Sequence, residues 1–152
     1  MLSQKVSHNG VSHGLSEVGY DIRIKQDVHF FPCQGGMKSL VQTKGSQEVI
    51  VNVGRFALAS SVEHFNMPPN LVAVVHDKST WARRGLSVFN TVIEPGWRGF
   101  LTLELVYHRE EDLIIPAGSG IAQVIFHETV IASTYSGKYQ DQPDQPIPAI
   151  AG

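Results

Sequence analysis

Apolar and polar residues alternate over short stretches of this chain. Asp21 and Arg23 separate Tyr20, Ile22 and Ile24, and the same period of two runs through EVIVNV at 48–53. RFALASSV (55–62), LVAVVH (71–76), LSVFN (86–90), FLTLELVY (100–107), LIIPAG (113–118) and IAQVIFH (121–127) follow. Each run is rich in Val, Ile, Phe or Thr and bounded by Gly, Pro, Asn or Asp, which is the mark of a strand. Fourteen glycines and eight prolines supply the breaks, and no segment keeps a helical period for three turns. Many short strands with regular turn signals predict a mostly β fold: a sandwich, a jelly roll or a distorted barrel.

One segment departs from this rhythm. In Asp77-Lys78-Ser79-Thr80-Trp81-Ala82-Arg83-Arg84-Gly85, Asp77 or Ser79 suits a helix N-cap, the arginines suit a last turn, and Gly85 suits the stop. The spacing predicts a single short helix of about two turns. The ends read as loose chain: residues 1–16 mix Ser, His, Gly and Asn, and 140–152 read QDQPDQPIPAIAG.

Composition narrows the class. A chain of 152 residues matches one domain and can bury a core without disulfide staples. Twelve Lys/Arg against fourteen Asp/Glu give a net charge of −2, so a protein acting on the nucleic-acid backbone is disfavoured. The single cysteine, Cys33, has no internal disulfide partner and fits a reducing cytoplasm. The longest purely apolar run, Leu71–Val75, is far shorter than the ~20 residues of a membrane span. MLSQKVSHNG lacks the apolar region of a signal peptide. The expectation is a soluble cytoplasmic protein with no membrane or nucleic-acid partner.

Three places can carry chemistry, and each also has an ordinary structural reading. In KSTWAR (78–83), a helix start with Lys78 and the Ser79 and Thr80 hydroxyls suits a phosphate, with Arg83 one turn on. The same residues also make a capped helix facing water. In IEPGW (93–97), Pro95-Gly96 fits the centre of a type II turn, bringing Glu94 beside Trp97. A carboxylate next to an indole can hold a sugar, and the segment is equally a good hairpin. In FLTLELVY, Leu101, Leu103 and Leu105 point one way and Thr102, Glu104 and Val106 the other. A carboxylate on an otherwise apolar strand is either solvated or held in a pocket with a shifted pKa, where it becomes a candidate general base. Histidines at metal-ligand spacing, the zinc deaminase signature, the Gly-x-Ser-x-Gly elbow and the Walker loop are all missing from the sequence. No zinc is therefore expected.

In combination these residues resemble the dCTP deaminase/dUTPase family. Gly19-Tyr20-Asp21-Ile22-Arg23 resembles the early strand motif of the deaminase branch, and Lys78–Arg83 with Gly85-Leu86 its Arg-Ser-Ser-x-x-Arg-x-Gly-Leu segment. Ile93-Glu94-Pro95-Gly96-Trp97-Arg98-Gly99 through Leu103-Glu104 resembles Ile-Asp-Pro-Gly-Trp-x-Gly with its closing Leu-Glu. Gly137-Lys138-Tyr139-Gln140 with Gln142 resembles a C-terminal Lys-Tyr-x-x-Gln lid. The resemblance implies a single dUTPase-like β domain, a distorted β-barrel or jelly roll with one short helix. Beside the flexible segment read at 1–16, it implies a lid and tail at 134–152 and a homotrimer with active sites between subunits.

By the same resemblance, Glu104 is the general base for hydrolytic deamination of dCTP to dUTP and ammonia. Ser79 and Arg83 position the water and the carboxylate. Lys78, Thr80 and Lys138 hold the triphosphate, which Mg²⁺ accompanies; Glu94 takes the 3′-hydroxyl, Trp97 packs the sugar, Gln142 reads the base, and Tyr135 belongs to the substrate-binding set. Glu94 stands where the family has Asp, Lys78 where it has Arg, and the connection from Leu86 to Glu94 is shorter than the family's. Alternatives remain: a dUTPase or bifunctional enzyme in which Glu94 activates water at the α-phosphate, a non-catalytic nucleotide-binding regulator, and a plain structural jelly roll.

Overall fold

A computed structural model of the chain describes residues 1–32, 39–44, 47–52 and 54–151; Cys33 and Val53 lie outside them. The described residues form thirteen strands in three sheets and a single short helix. A six-stranded sheet has the order β1 (Lys5–His8), β2 (Val11–Leu15), β3 (Tyr20–Arg23), β13 (Gly120–Glu128), β8 (Leu71–Asp77), β10 (Val92–Ile93). A four-stranded sheet runs β12 (Leu113–Ile115), β4 (Asp27–Phe30), β6 (Gln47–Asn52), β5 (Ser39–Lys44), with β4 and β6 parallel. The third sheet places β11 (Arg98–Tyr107) between β7 (Phe56–Asn66) and β9 (Leu86–Val88). Each sheet has two ends in this order, so the architecture is jelly-roll-like and not a closed barrel.

The core lies where alternating apolar faces meet, with Ile22, Ile24, Phe30, Phe65, Leu103 and Ile121 fully buried. Several buried polar groups find partners there. The Glu63 carboxylate, 2% exposed, accepts the backbone N–H and the Nε of Arg23, both at 2.8 Å. Gln26 exchanges two hydrogen bonds with Ser60. Among the described residues no helix is long and apolar enough to cross a membrane.

Two elements differ from the sequence expectation. The helix α1 covers Ser79–Ala82, one turn and not two. Neither expected cap serves it: Lys78 holds the N-cap position without a side-chain bond, and Asp77 Oδ1 instead accepts the Val88 N–H at 2.7 Å. The N–H groups of Arg84 and Gly85 bond back only three residues, tightening the end, and Gly85 turns away at φ +87°. Trp81 anchors the turn by donating its indole N–H to the Gly120 carbonyl at 2.7 Å. The N-terminus, read as loose, forms the β1–β2 hairpin, with Asn9 (φ 51°) and Gly10 (φ 74°) as its two-residue turn.

Candidate active site

Strand β11 builds the floor of a cavity of about 430 Å³, within the range of small-molecule sites. Its register with β7 sets Thr102 opposite Ser60 and Glu104 opposite Leu58, and Thr102 and Glu104 both line the cavity. Alternation alone would turn Leu101 to the far side. A bulge between Phe100 and Thr102 breaks the register, and Leu101 lines the cavity too.

Glu104 is half-buried, and its Oε2 is enclosed without a hydrogen-bond partner among the described residues. Burial pushes its carboxyl above the ordinary glutamate value, offset in part by its own backbone amide. The fold therefore holds a proton on Glu104 more tightly than the unfolded chain does. Stability contributed by this group is present below its unfolded pKa and falls as pH rises towards the raised folded value. Melting curves of Glu104→Gln should accordingly gain Tm over the wild type as pH climbs from 4 to 8. A gap that stays constant with pH would contradict a buried, unpartnered carboxyl.

The rim comes from a turn and from the chain's end. Glu94-Pro95-Gly96-Trp97 closes with the Trp97 N–H on the Glu94 carbonyl at 3.1 Å and Gly96 at φ +73°, the type II geometry expected. Glu94 and Trp97 both line the cavity. The Trp97 indole N–H donates to the Tyr139 carbonyl at 2.6 Å, which pins its ring beneath the C-terminal segment. Tyr135, Tyr139 and Gln142 complete that wall, and the Thr102 hydroxyl donates to Gln142 Oε1 at 3.3 Å while accepting the Ile147 N–H at 3.0 Å.

Of the ten residues singled out in the sequence, five meet here: Glu94, Trp97, Glu104, Tyr135 and Gln142. Five do not line the cavity. Ser79 and Arg83 are exposed and Thr80 is half-buried at α1. Lys78 is bound to Asp21 at 2.5 Å, with both side chains largely buried. Lys138 donates to the Ile150 carbonyl and lies over the Tyr139 ring. Thr102 and Tyr139 were not singled out. The strand period already set Thr102 on the face of Glu104, and Tyr139 stood inside the lid motif.

The sequence profile of the dCTP deaminase-like family matches residues 3–129, most of the chain. The chain belongs to the dCTP deaminase-like family. A relative from Campylobacter concisus named dCTP deaminase is 38% identical over 161 aligned residues, covering 97% of this chain and 86% of the relative. One from Nitrosomonas eutropha, named likewise, is 37% identical, covering 98% and 86%. In shape the chain is similar to the native EIAV dUTPase, with a TM-score of 0.54 at 15% identity over 90% of this chain and 92% of that one. It is also similar to the dUTPase from phage phi11 of S. aureus, with a TM-score of 0.54 at 12% identity over 81% and 84%. At those identities the likeness is one of fold. Membership of the deaminase-like family rests on the sequence relatives.

Proposed function

We propose that this chain is a hydrolase that deaminates dCTP to dUTP and ammonia, with Glu104 as the proton relay. The observation that carries this reading is the Glu104 carboxyl, raised in pKa by burial, on a residue that lines the cavity, with its enclosed Oε2 unpartnered among the described residues. A carboxylate of raised pKa is a stronger base and can also return the proton it takes. In the proposed reaction Glu104 removes a proton from water as the oxygen bonds to C4 of cytosine, and delivers it to N3. It then takes the second proton of that oxygen and passes it to the exocyclic amine. The C4–N bond breaks, ammonia leaves, and the C4 carbonyl of uracil remains.

Glu94 and Trp97 on the turn suit the sugar, and Gln142 suits the base edge. Ser79 and Arg83 do not line the cavity that Glu104 lines. We therefore assign α1 to the cavity of a neighbouring copy in a homotrimer, where Thr80 and Lys138 would face the triphosphate; Lys78 would join them only on leaving its Asp21 partner. For Mg²⁺, no group of three or more His, Cys, Asp or Glu side chains among the described residues is placed to hold a metal ion. The ion's ligands would be phosphate oxygens and water. A cytoplasmic site of action fits a deoxynucleotide substrate.

A second reading has its own support: Glu94 lines the same cavity and could activate water at the α-phosphate of dUTP. Purified protein incubated separately with dCTP and dUTP, with ammonia and pyrophosphate assayed in each, distinguishes the two. The deaminase releases ammonia from dCTP. Pyrophosphate from dUTP with no ammonia from dCTP would overturn the first reading.

A further inference from the structure

The Tyr135–Gln142 segment is bonded to the turn beneath it within one chain. The Tyr135 N–H donates to the Pro95 carbonyl at 2.8 Å, the Asp141 N–H to the Arg98 carbonyl at 2.8 Å, and the Phe100 N–H to the Gln142 carbonyl at 3.1 Å. The approach is close enough to need glycine. A Cβ at Gly96 would meet Thr134 at 2.7 Å, and one at Gly99 the Gln142 nitrogen at 2.6 Å.

At the centre of this seam lies Gln140. Its Oε1 accepts the Arg98 N–H at 2.8 Å, and its Nε2 donates to the Gly96 carbonyl at 3.0 Å and the Tyr135 carbonyl at 3.3 Å. One carboxamide thus uses both ends on backbone groups of two segments. The neighbouring Arg98–Asp141 ion pair has both side chains more than half exposed, and such pairs add little.

We propose that Gln140 is a positioning residue: its carboxamide sets the register of the lid on the Glu94–Trp97 turn before any nucleotide binds. Residues 138–141 form a turn, with the Gln140 N–H on the Gly137 carbonyl at 3.1 Å and Asp141 at φ 60°. Without the carboxamide bonds, this turn would be free to shift against the Glu94–Trp97 turn, held only by the Tyr135, Asp141 and Phe100 backbone bonds. Gln142 would then leave the wall it shares with Trp97 and Glu104. A side chain that must find one N–H and two carbonyls at once allows one register. The nucleotide's place in this argument rests on the proposed function; the latch itself does not.

The test is hydrogen exchange on the nucleotide-free full chain. Amides of Phe100 and Asp141 should be protected in the wild type. In Gln140→Met, which keeps the shape and removes the bonds, they should exchange about tenfold faster, with β13 amides unchanged. Gln140→Glu keeps the acceptor for Arg98 and loses both donors, and should fall between. In turnover, Gln140→Met should raise KM about tenfold with kcat within about twofold. Equal exchange in wild type and Gln140→Met overturns the latch, and lost protection with an unmoved KM overturns the positioning role. A wild type that turns over neither dCTP nor dUTP defeats the proposed function instead, and the exchange result still decides the latch.

Discussion

Glu104→Gln is expected to lower kcat for ammonia release by about 10³-fold or more, the scale of a lost general base, while nucleotide affinity stays within about tenfold. The amide is nearly the size of the carboxyl, so the cavity beside Thr102, Leu58 and Trp97 keeps its shape. It cannot accept a proton from water or hold one for the leaving amine. The residue works as a base only when ionised, and burial raises its pKa. The acid limb of the wild-type kcat/KM profile should therefore lie above the ordinary carboxylate range, with activity falling as pH drops through it, and no such limb should remain in the variant. Single-turnover kinetics and binding measured on the same preparations separate the two effects. Tight binding with no turnover in either protein would identify a nucleotide-binding regulator instead.

The strands that build the cavity floor were legible because their burial is one-sided. In β7 and β11 the buried positions follow the period of two closely enough to be read from Ala57, Ala59, Leu103 and Leu105. The same period set Glu104 and Thr102 on one face, and the turn at Pro95-Gly96 followed from residue chemistry alone. Strand β1 was missed because all four of its residues are exposed, so there is no alternation to read. Its signal was Asn9-Gly10, the dipeptide of a two-residue hairpin turn, among polar neighbours that suggested loose chain.

Contacts distant in sequence were beyond any local pattern. Lys78 looks like a free cation in its own segment, and only the fold brings Asp21 against it. The Gln140 bonds are of the same kind, joining residues 42 and 44 positions apart. The bulge in β11 turns Leu101 to the cavity against its strand period. Each arises from how two elements meet, which neither element's own sequence states.

Truncation after Ser136 should raise KM on the order of 100-fold. It removes Lys138, Tyr139 and Gln142 together, and a charged phosphate contact plus neutral hydrogen bonds are worth about 3 kcal/mol jointly. It also strips the carbonyl that holds the Trp97 indole and uncovers a ring that is only 4% exposed. The sheets should persist, because the fully buried side chains sit on other elements. Truncation after Gln142 is the informative partner. It keeps the lid and removes the tail, whose Ile147 N–H occupies the Thr102 hydroxyl and whose Ile150 carbonyl occupies Lys138. Those groups become available to a nucleotide, so KM should stay at or below the full-length value. If both truncations raise KM equally, the working contacts lie in the tail and not in the lid. If neither does, the C-terminal wall of the cavity takes no part in holding the substrate, and Gln142 loses its assignment to the base.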